Sequence, residues 1–185
     1  MQKTKLLRQF NALEASRTKL LTDLRLLRKE VLTFKPAADK WSVNQVLYHL
    51  FLAESASAAY ASKKMLGGTS IKKTGAAASI RSSLLSLVLR SGYKWKAPAM
   101  LGSVPEDVDF EEVVQRWDDS RGRLKSFIEG LPDNLLEREI YKHPRAGRLN
   151  AGQMVQFFED HFEHHLAQIK RLKKGAAAKD GSAKT

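Results

Sequence analysis

The sequence predicts an all-α fold: a four-helix bundle with long crossover connections, one extra short helix and a disordered C-terminal tail. Three observations point there. Four long segments carry apolar residues three and four positions apart, the spacing that lines one face of a helix. Three of them open on a cap residue followed three positions later by Gln or Glu: Ser42 with Gln45, Asp109 with Glu112, and Asn150 with Gln153. No segment alternates apolar and polar residues long enough to make a convincing strand, and no internal repeat is present.

In chain order, the first helix is predicted from Lys3 to Thr33, stopped by Pro36, which lacks the N–H a helix needs. Leu6, Phe10, Leu13, Arg17, Leu20, Leu24, Leu27 and Val31 make its seam, interrupted only by Arg17. A short turn over Lys35–Lys40 leads to a second helix from Ser42 to Gly67-Gly68. Val43, Val46, Leu47, Leu50 and Ala53 form its apolar face, with Glu54 on that face and His49 on its flank. The small residues Ser57 and Ala61 continue the face and permit close approach or leave room for a pocket. Thr69–Gly75 is expected to be a flexible loop.

Ala76–Arg90 is predicted as the short helix, packed or at an interface, with membrane-surface binding as the alternative. Ser91–Val108, rich in Gly and Pro, is a long connection placed to cap a site. The fourth helix runs from Asp109 to near Gly130 on a seam of Phe110, Val113, Val114, Trp117, Leu124, Phe127 and Ile128, interrupted by Arg121. Asp133–Arg138 adds a helical turn, and Ile140–Leu149 is expected to be a loop. The last helix spans Asn150–Leu172; Lys170, Arg171, Lys173 and Lys174 suit its negative end, and Gly175 is a C′ stop. The low-complexity residues that follow are expected to be disordered.

At 185 residues the chain suits one domain. Cysteine is absent, which excludes disulfides, thiolate metal sites and thiol nucleophiles, so a bound metal must rely on His, Asp or Glu. The N-terminal stretch MQKTKLLRQF is too charged, and its apolar runs too short, for a signal peptide or a membrane span, so a cytoplasmic protein without membrane partners is expected. The net charge is +12 and the isoelectric point near 10.0. Such charge attracts polyanions, yet no aromatic–basic interleaving, recognition-helix pattern or zinc-finger spacing accompanies it. Only weak, salt-sensitive, nonselective nucleic-acid binding is therefore expected.

The chemistry concentrates in the last helix. At about 100° per residue, His161 and His165 fall in the middle of an apolar arc set by Met154, Phe158, Ile169 and Leu172, while His164 lies at its edge. Two imidazoles one turn apart can offer nitrogens to one metal ion, and His49 from the second helix would complete a trio that leaves positions open for water or substrate. The competing reading is a pair of core histidines satisfied by Gln or carboxylates. Gln168 is placed either to orient a ligand or bound water or to sit as a polar residue at the helix edge. His143, before Pro144, is expected to be exposed. Glu54, Arg17 and Arg121 put charges on apolar seams. That predicts an internal pair with Glu54 in hydrogen-bonding reach of one arginine, the alternative being contact with an anionic substrate or general-base work.

Phosphate-binding and dinucleotide glycine loops are absent, as is a nucleophile elbow. His161 and His165 have zincin spacing, but Phe162 occupies the position of the catalytic Glu.

Lys40-Trp41-Ser42-Val43-Asn44-Gln45-Val46-Leu47-Tyr48-His49-Leu50 resembles the segment that introduces the first metal histidine of the DinB/YfiT-like superfamily. His143-Pro144-Arg145-Ala146-Gly147-Arg148-Leu149, followed by His161 through Ile169, resembles its C-terminal signature. The two segments stand in the expected order, and the resemblance spans Leu6 to Leu172. It implies a bundle domain over residues 1–174 with a tail at 175–185, and a divalent ion (zinc, nickel or iron) held by His49, His161 and His165. It also implies a homodimer acting on a small molecule. Relatives include thiol-dependent S-transferases and a maleylpyruvate isomerase that use mycothiol, bacillithiol or glutathione. The expected function is a metal-dependent enzyme, a thiol-dependent S-transferase or a hydrolase, with a low-molecular-weight thiol as co-substrate in the first case. The alternatives are a non-catalytic metal-binding or stress-response module and a basic bundle that binds nucleic acid. The basic charge and the insertion from Gly67 to Val108 depart from the family pattern and bear on the shape of the pocket.

Overall fold

The computed structural model describes residues 2–66, 71–91 and 104–182, with backbone only for the last three. Its helices are α1 (Lys3–Arg25), α2 (Lys29–Thr33), α3 (Val43–Met65), α4 (Ala76–Arg90), α5 (Phe110–Gly130) and α6 (Ala151–Ser182). A 3-10 turn at Asp133–Leu135 and two short strands, β1 (Tyr141–His143) and β2 (Gly147–Leu149), precede α6. The four long helices form the bundle. α1 packs on α5 and α6, and α3 packs on the same two, so α1 and α3 face each other across a diagonal. The connection from α1 to α3 therefore crosses the bundle. Trp117, Phe10, Phe158 and Phe162 fill the centre and are fully buried.

Helix starts follow the sequence closely. Ser42 and Gln45 exchange both hydrogen bonds of a capping box at α3, and so do Asn150 and Gln153 at α6. At α5 only half of the box forms. Asp109 accepts from the Glu112 N–H, while the Glu112 carboxylate accepts from Arg116 instead.

Four expectations are corrected. The first helix does not run unbroken to Thr33. It ends at Arg25, Leu26 is 83 % exposed, and the chain turns before α2. Strict 4-3 spacing is a 3.5-residue period, and a straight helix of 3.6 drifts from it. Accordingly Leu21 and Leu24 are buried where Leu20 is only half-buried, and after the turn Leu32 rather than Val31 enters the core.

Ile140–Leu149 is not a loop but a hairpin, pairing Tyr141 with Leu149 and His143 with Gly147. Gly147 takes φ of 71°, the left-handed region that closes a three-residue hairpin loop. Part of the expected flexible loop is anchored as well: Ile71 is buried, and Lys72 and Thr74 hydrogen-bond to the backbone of Glu139 and Glu137.

Lastly, α6 passes through Gly175 and continues to Ser182, into the segment expected to be a disordered tail. A Cβ at Gly175 would lie 3.1 Å from the Phe34 ring, Ala176 is buried, and Lys179 lies over the same ring. Contact with the chain just after α2 thus overrides the local stop signal. Residues 92–103, most of the connection expected to cap a site, lie outside the described residues. Its end is tied to α3: Gln45 Nε2 donates to Pro105 O and Asn44 Nδ2 to Val108 O.

Candidate metal centre

His49 sits in the second turn of α3, and His161 and His165 lie one turn apart on the face of α6 that packs against it. All three side chains are buried. Their Nε2 atoms converge: His49 Nε2 is 3.2 Å from His161 Nε2, which is 3.1 Å from His165 Nε2. One potential ligand atom from each residue lies within 4.8 Å of the others. Metal–nitrogen bonds of about 2.1 Å separate neighbouring ligand nitrogens by roughly 3.0–3.4 Å in octahedral or tetrahedral geometry, so the spacing fits one ion.

Hydrogen bonding fixes one ring and leaves the cluster short of protons. His165 Nδ1 is 2.8 Å from Gln168 Oε1, an oxygen that can only accept, so Nδ1 carries the hydrogen and Nε2 turns its lone pair to the cluster. Gln168 thus orients the ring, the first of the two roles its position allowed. Burial lowers the affinity of all three imidazoles for a proton: His49 falls to about 4, His165 to about 3, and His161, also beside its two neighbours, well below its ordinary value. The rings are therefore neutral at pH 7. Which ring carries its hydrogen at Nε2 decides donor and acceptor in the two Nε2–Nε2 contacts, and His161 Nδ1 has no hydrogen-bond partner among the described residues.

Aromatic rings pack around the trio. Trp41, half-buried just before the Ser42 cap, lies 5.1 Å from the His49 ring, and Phe157 stacks on His161 at 5.2 Å. Sequence reasoning missed the role of both. Trp41 had a visible signal, a large aromatic immediately preceding an N-cap. His164 turns aside, its Nδ1 donating to Leu89 O of α4. The expectation of an exposed His143 is corrected: it is buried against Phe157 at 4.5 Å, and its Nδ1 accepts the N–H groups of Arg145 and Ala146. The ring caps the hairpin turn, and burial lowers it to about 4, with Arg145 adding to the effect.

Glu54 forms the expected ion pair, with Arg121: Nε at 2.8 Å and Nη2 at 2.7 Å grip its two carboxylate oxygens, and Trp117 Nε1 donates at 2.6 Å. Arg17 bonds instead to Glu14 and Asp118 and lies over the Trp117 ring.

Residues 12–169 match the profile of the DinB superfamily. This chain belongs to the DinB superfamily. The match takes in both ends of the three-histidine cluster, and DinB-like domains are metal-associated. The chain is also similar to the uncharacterized protein YuaE of Bacillus subtilis (strain 168), with 27% identity over 158 residues that cover 85% of this chain and 93% of that protein. No solved structure matches this DinB superfamily chain with significance. Among its described residues, no helix is long and apolar enough to cross a membrane.

Proposed function

We propose that the chain is a divalent-metal-dependent enzyme whose ion is held by the Nε2 atoms of His49, His161 and His165. The observation that carries the reading is the convergence of three neutral Nε2 atoms at ligand spacing, with one ring oriented from behind by Gln168. Three histidines leave coordination positions open, the requirement for catalysis rather than for a closed structural site. A bound divalent ion lowers the pKa of a coordinated water or thiol and so supplies a nucleophile near neutral pH. A thiol-dependent S-transferase or a hydrolase, acting on a small molecule as a homodimer, is the reading that family membership favours.

The chain's own residues define the surroundings of that chemistry. Gln168 holds the His165 tautomer, while Trp41 and Phe157 pack against the rings of His49 and His161. The Glu54 carboxylate is occupied by Arg121 and Trp117, which argues against its use as a general base.

Elemental analysis of protein purified without a His-tag tests the reading, alongside turnover of an electrophile with glutathione or bacillithiol. One divalent ion per chain, lost in His165→Ala together with turnover, is the expected result. Metal-free wild-type protein that takes up no zinc, nickel or iron would overturn it. A tightly bound ion without turnover of thiol or hydrolytic substrates would leave a non-catalytic metal-binding module.

A further inference from the structure

His161 and His165 turn the same atom to the cluster, but they are held in different ways. A histidine that binds an ion through Nε2 is ordinarily fixed from behind by a hydrogen bond at Nδ1. His165 has that bond, to Gln168. His161 does not: its Nδ1 is buried and has no partner among the described residues. What meets this ring is Phe157, one turn earlier on α6, with ring centres 5.2 Å apart and planes within 18° of parallel. The His49 and His165 rings stand edge-on to His161 instead, at 73° and 86°.

Phe157 is itself held from the hairpin. The His143 ring packs against it at 4.5 Å, and Tyr141 stacks at 6.3 Å. Both are tied down: His143 Nδ1 accepts two backbone N–H groups of its own turn, and the Tyr141 hydroxyl shares a hydrogen bond with Ser57 of α3 at 3.1 Å. Arg81 of α4 donates to Ala146 O in the same turn. A column of rings therefore runs from β1 through Phe157 to His161, anchored at its outer end by α3 and α4. All four side chains are buried, so one ring can tilt only if its neighbours move.

We propose that Phe157 is a positioning residue for the ion, backed by His143 and the hairpin: stacking sets the plane of the His161 ring and does for it what Gln168 does for His165. The inference rests on the metal-dependent reading of the three histidines. Phe157 offers no ligand atom and acts only through His161, by fixing the direction of the Nε2 lone pair. The role requires a flat face. An aliphatic side chain fills the space but leaves the imidazole to rock about χ2, a soft torsion in histidine. The segment His143–Leu149 thereby gains a part in the site, although none of its residues belongs to the cluster.

Cobalt(II) and zinc(II) titrations of the full chain, purified without a His-tag and stripped of metal, test the proposal. Affinity is read by chelator competition, and ligand geometry by the visible absorption of bound cobalt(II). Phe157→Leu should weaken binding by about tenfold, near the upper end of what an oriented aromatic pair contributes, and should alter the cobalt(II) spectrum. Phe157→Tyr keeps the flat face and should stay within about threefold of wild type, with its spectrum. His143→Asn keeps the acceptor for the hairpin turn but removes the ring behind Phe157, and should weaken binding by about threefold. Phe10→Leu removes a buried ring beneath Arg121 and should lower stability without changing affinity or spectrum. Wild-type affinity and spectrum in Phe157→Leu would overturn the positioning role and leave the metal reading standing. So would a Phe157→Tyr as weak as Phe157→Leu, or equal losses in Phe10→Leu, which would trace the effect to weakened packing in general. Where Phe157→Leu does not fold, His143→Asn decides, and wild-type affinity there would overturn the role. A wild-type chain that takes up neither ion would overturn the metal reading itself, and the positioning role with it.

Discussion

α3 carries two buried polar clusters five residues apart, and they are built on opposite principles. At Glu54 every charge is answered: two guanidinium contacts and an indole N–H hold the carboxylate, and Arg121 also reaches Glu14. At His49 the reverse holds. Three nitrogens of neutral imidazoles face one another at ligand spacing, and a fourth, His161 Nδ1, has no partner among the described residues. A satisfied buried network fixes how helices meet, whereas an unsatisfied one is stable only through what it can bind. Burial therefore does not separate structure from function here. The accounting of donors and acceptors does.

The contrast can be broken most forcefully at Arg121. Arg121→Ala leaves the Glu54 carboxylate buried with only the Trp117 N–H and should cost about 3–5 kcal/mol in urea unfolding. A loss below about 1 kcal/mol would show the pair to be dispensable, contrary to the structural role assigned to it.

His165→Ala should behave in the opposite way. Metal affinity should fall by more than about 100-fold in a chelator competition, while the metal-free protein keeps its helical circular dichroism because the Leu and Phe seams supply the packing. Collapse of the apo variant would make the cluster structural. Gln168→Ala is the gentler probe of the same site. Freed from its acceptor, the His165 ring can adopt the wrong tautomer, and affinity should drop by about 10–100-fold with the ligand set intact. An unchanged affinity would remove Gln168 from the site.

A separate effect should appear in acid. His143 in the folded chain protonates only near pH 4, below its ordinary value of 6.5, so the unfolded chain binds the proton first as pH falls. The stability tied to its neutral form is complete above pH 6.5 and is lost as pH descends through about 4. The buried cluster histidines of the metal-free protein add to the slope in the same direction. His143→Asn keeps an oxygen to accept the Arg145 and Ala146 N–H groups but cannot titrate, and should flatten the dependence between pH 6.5 and 4.5. An unaltered slope would place the titration elsewhere.

What the sequence made legible was local or periodic. The Ser42 and Asn150 capping boxes follow from four consecutive residues each, and the inward aim of His161 and His165 follows from one helical period. That Glu54 pairs with one of the two seam arginines followed from the cost of burying a carboxylate alone, but the choice of Arg121 over Arg17 did not. What escaped depends on tertiary partners. Nothing around Gly175 announces Phe34, so a residue that usually ends helices lies inside one. The 4-3 pattern runs on through Leu27, hiding the turn at Leu26. Strands of three residues are too short for alternation to register, and without the hairpin the burial of His143 could not be inferred. Arg17 was seen as a seam residue, but its partner Asp118 lies 101 positions away on another helix.

The separation of the cluster histidines along the chain carries one more consequence. His49 and His161 are 112 positions apart, against 67 for Glu54 and Arg121. An ion gripping both histidines would be a crosslink that encloses α4, α5 and the hairpin in one large loop. Cross-linking a long loop narrows the freedom of the opened chain by an amount that grows only slowly with loop length. Release of the ion would remove that tie between α3 and α6, and the susceptibility of residues 150–172 to proteases should then report how fully the site is loaded.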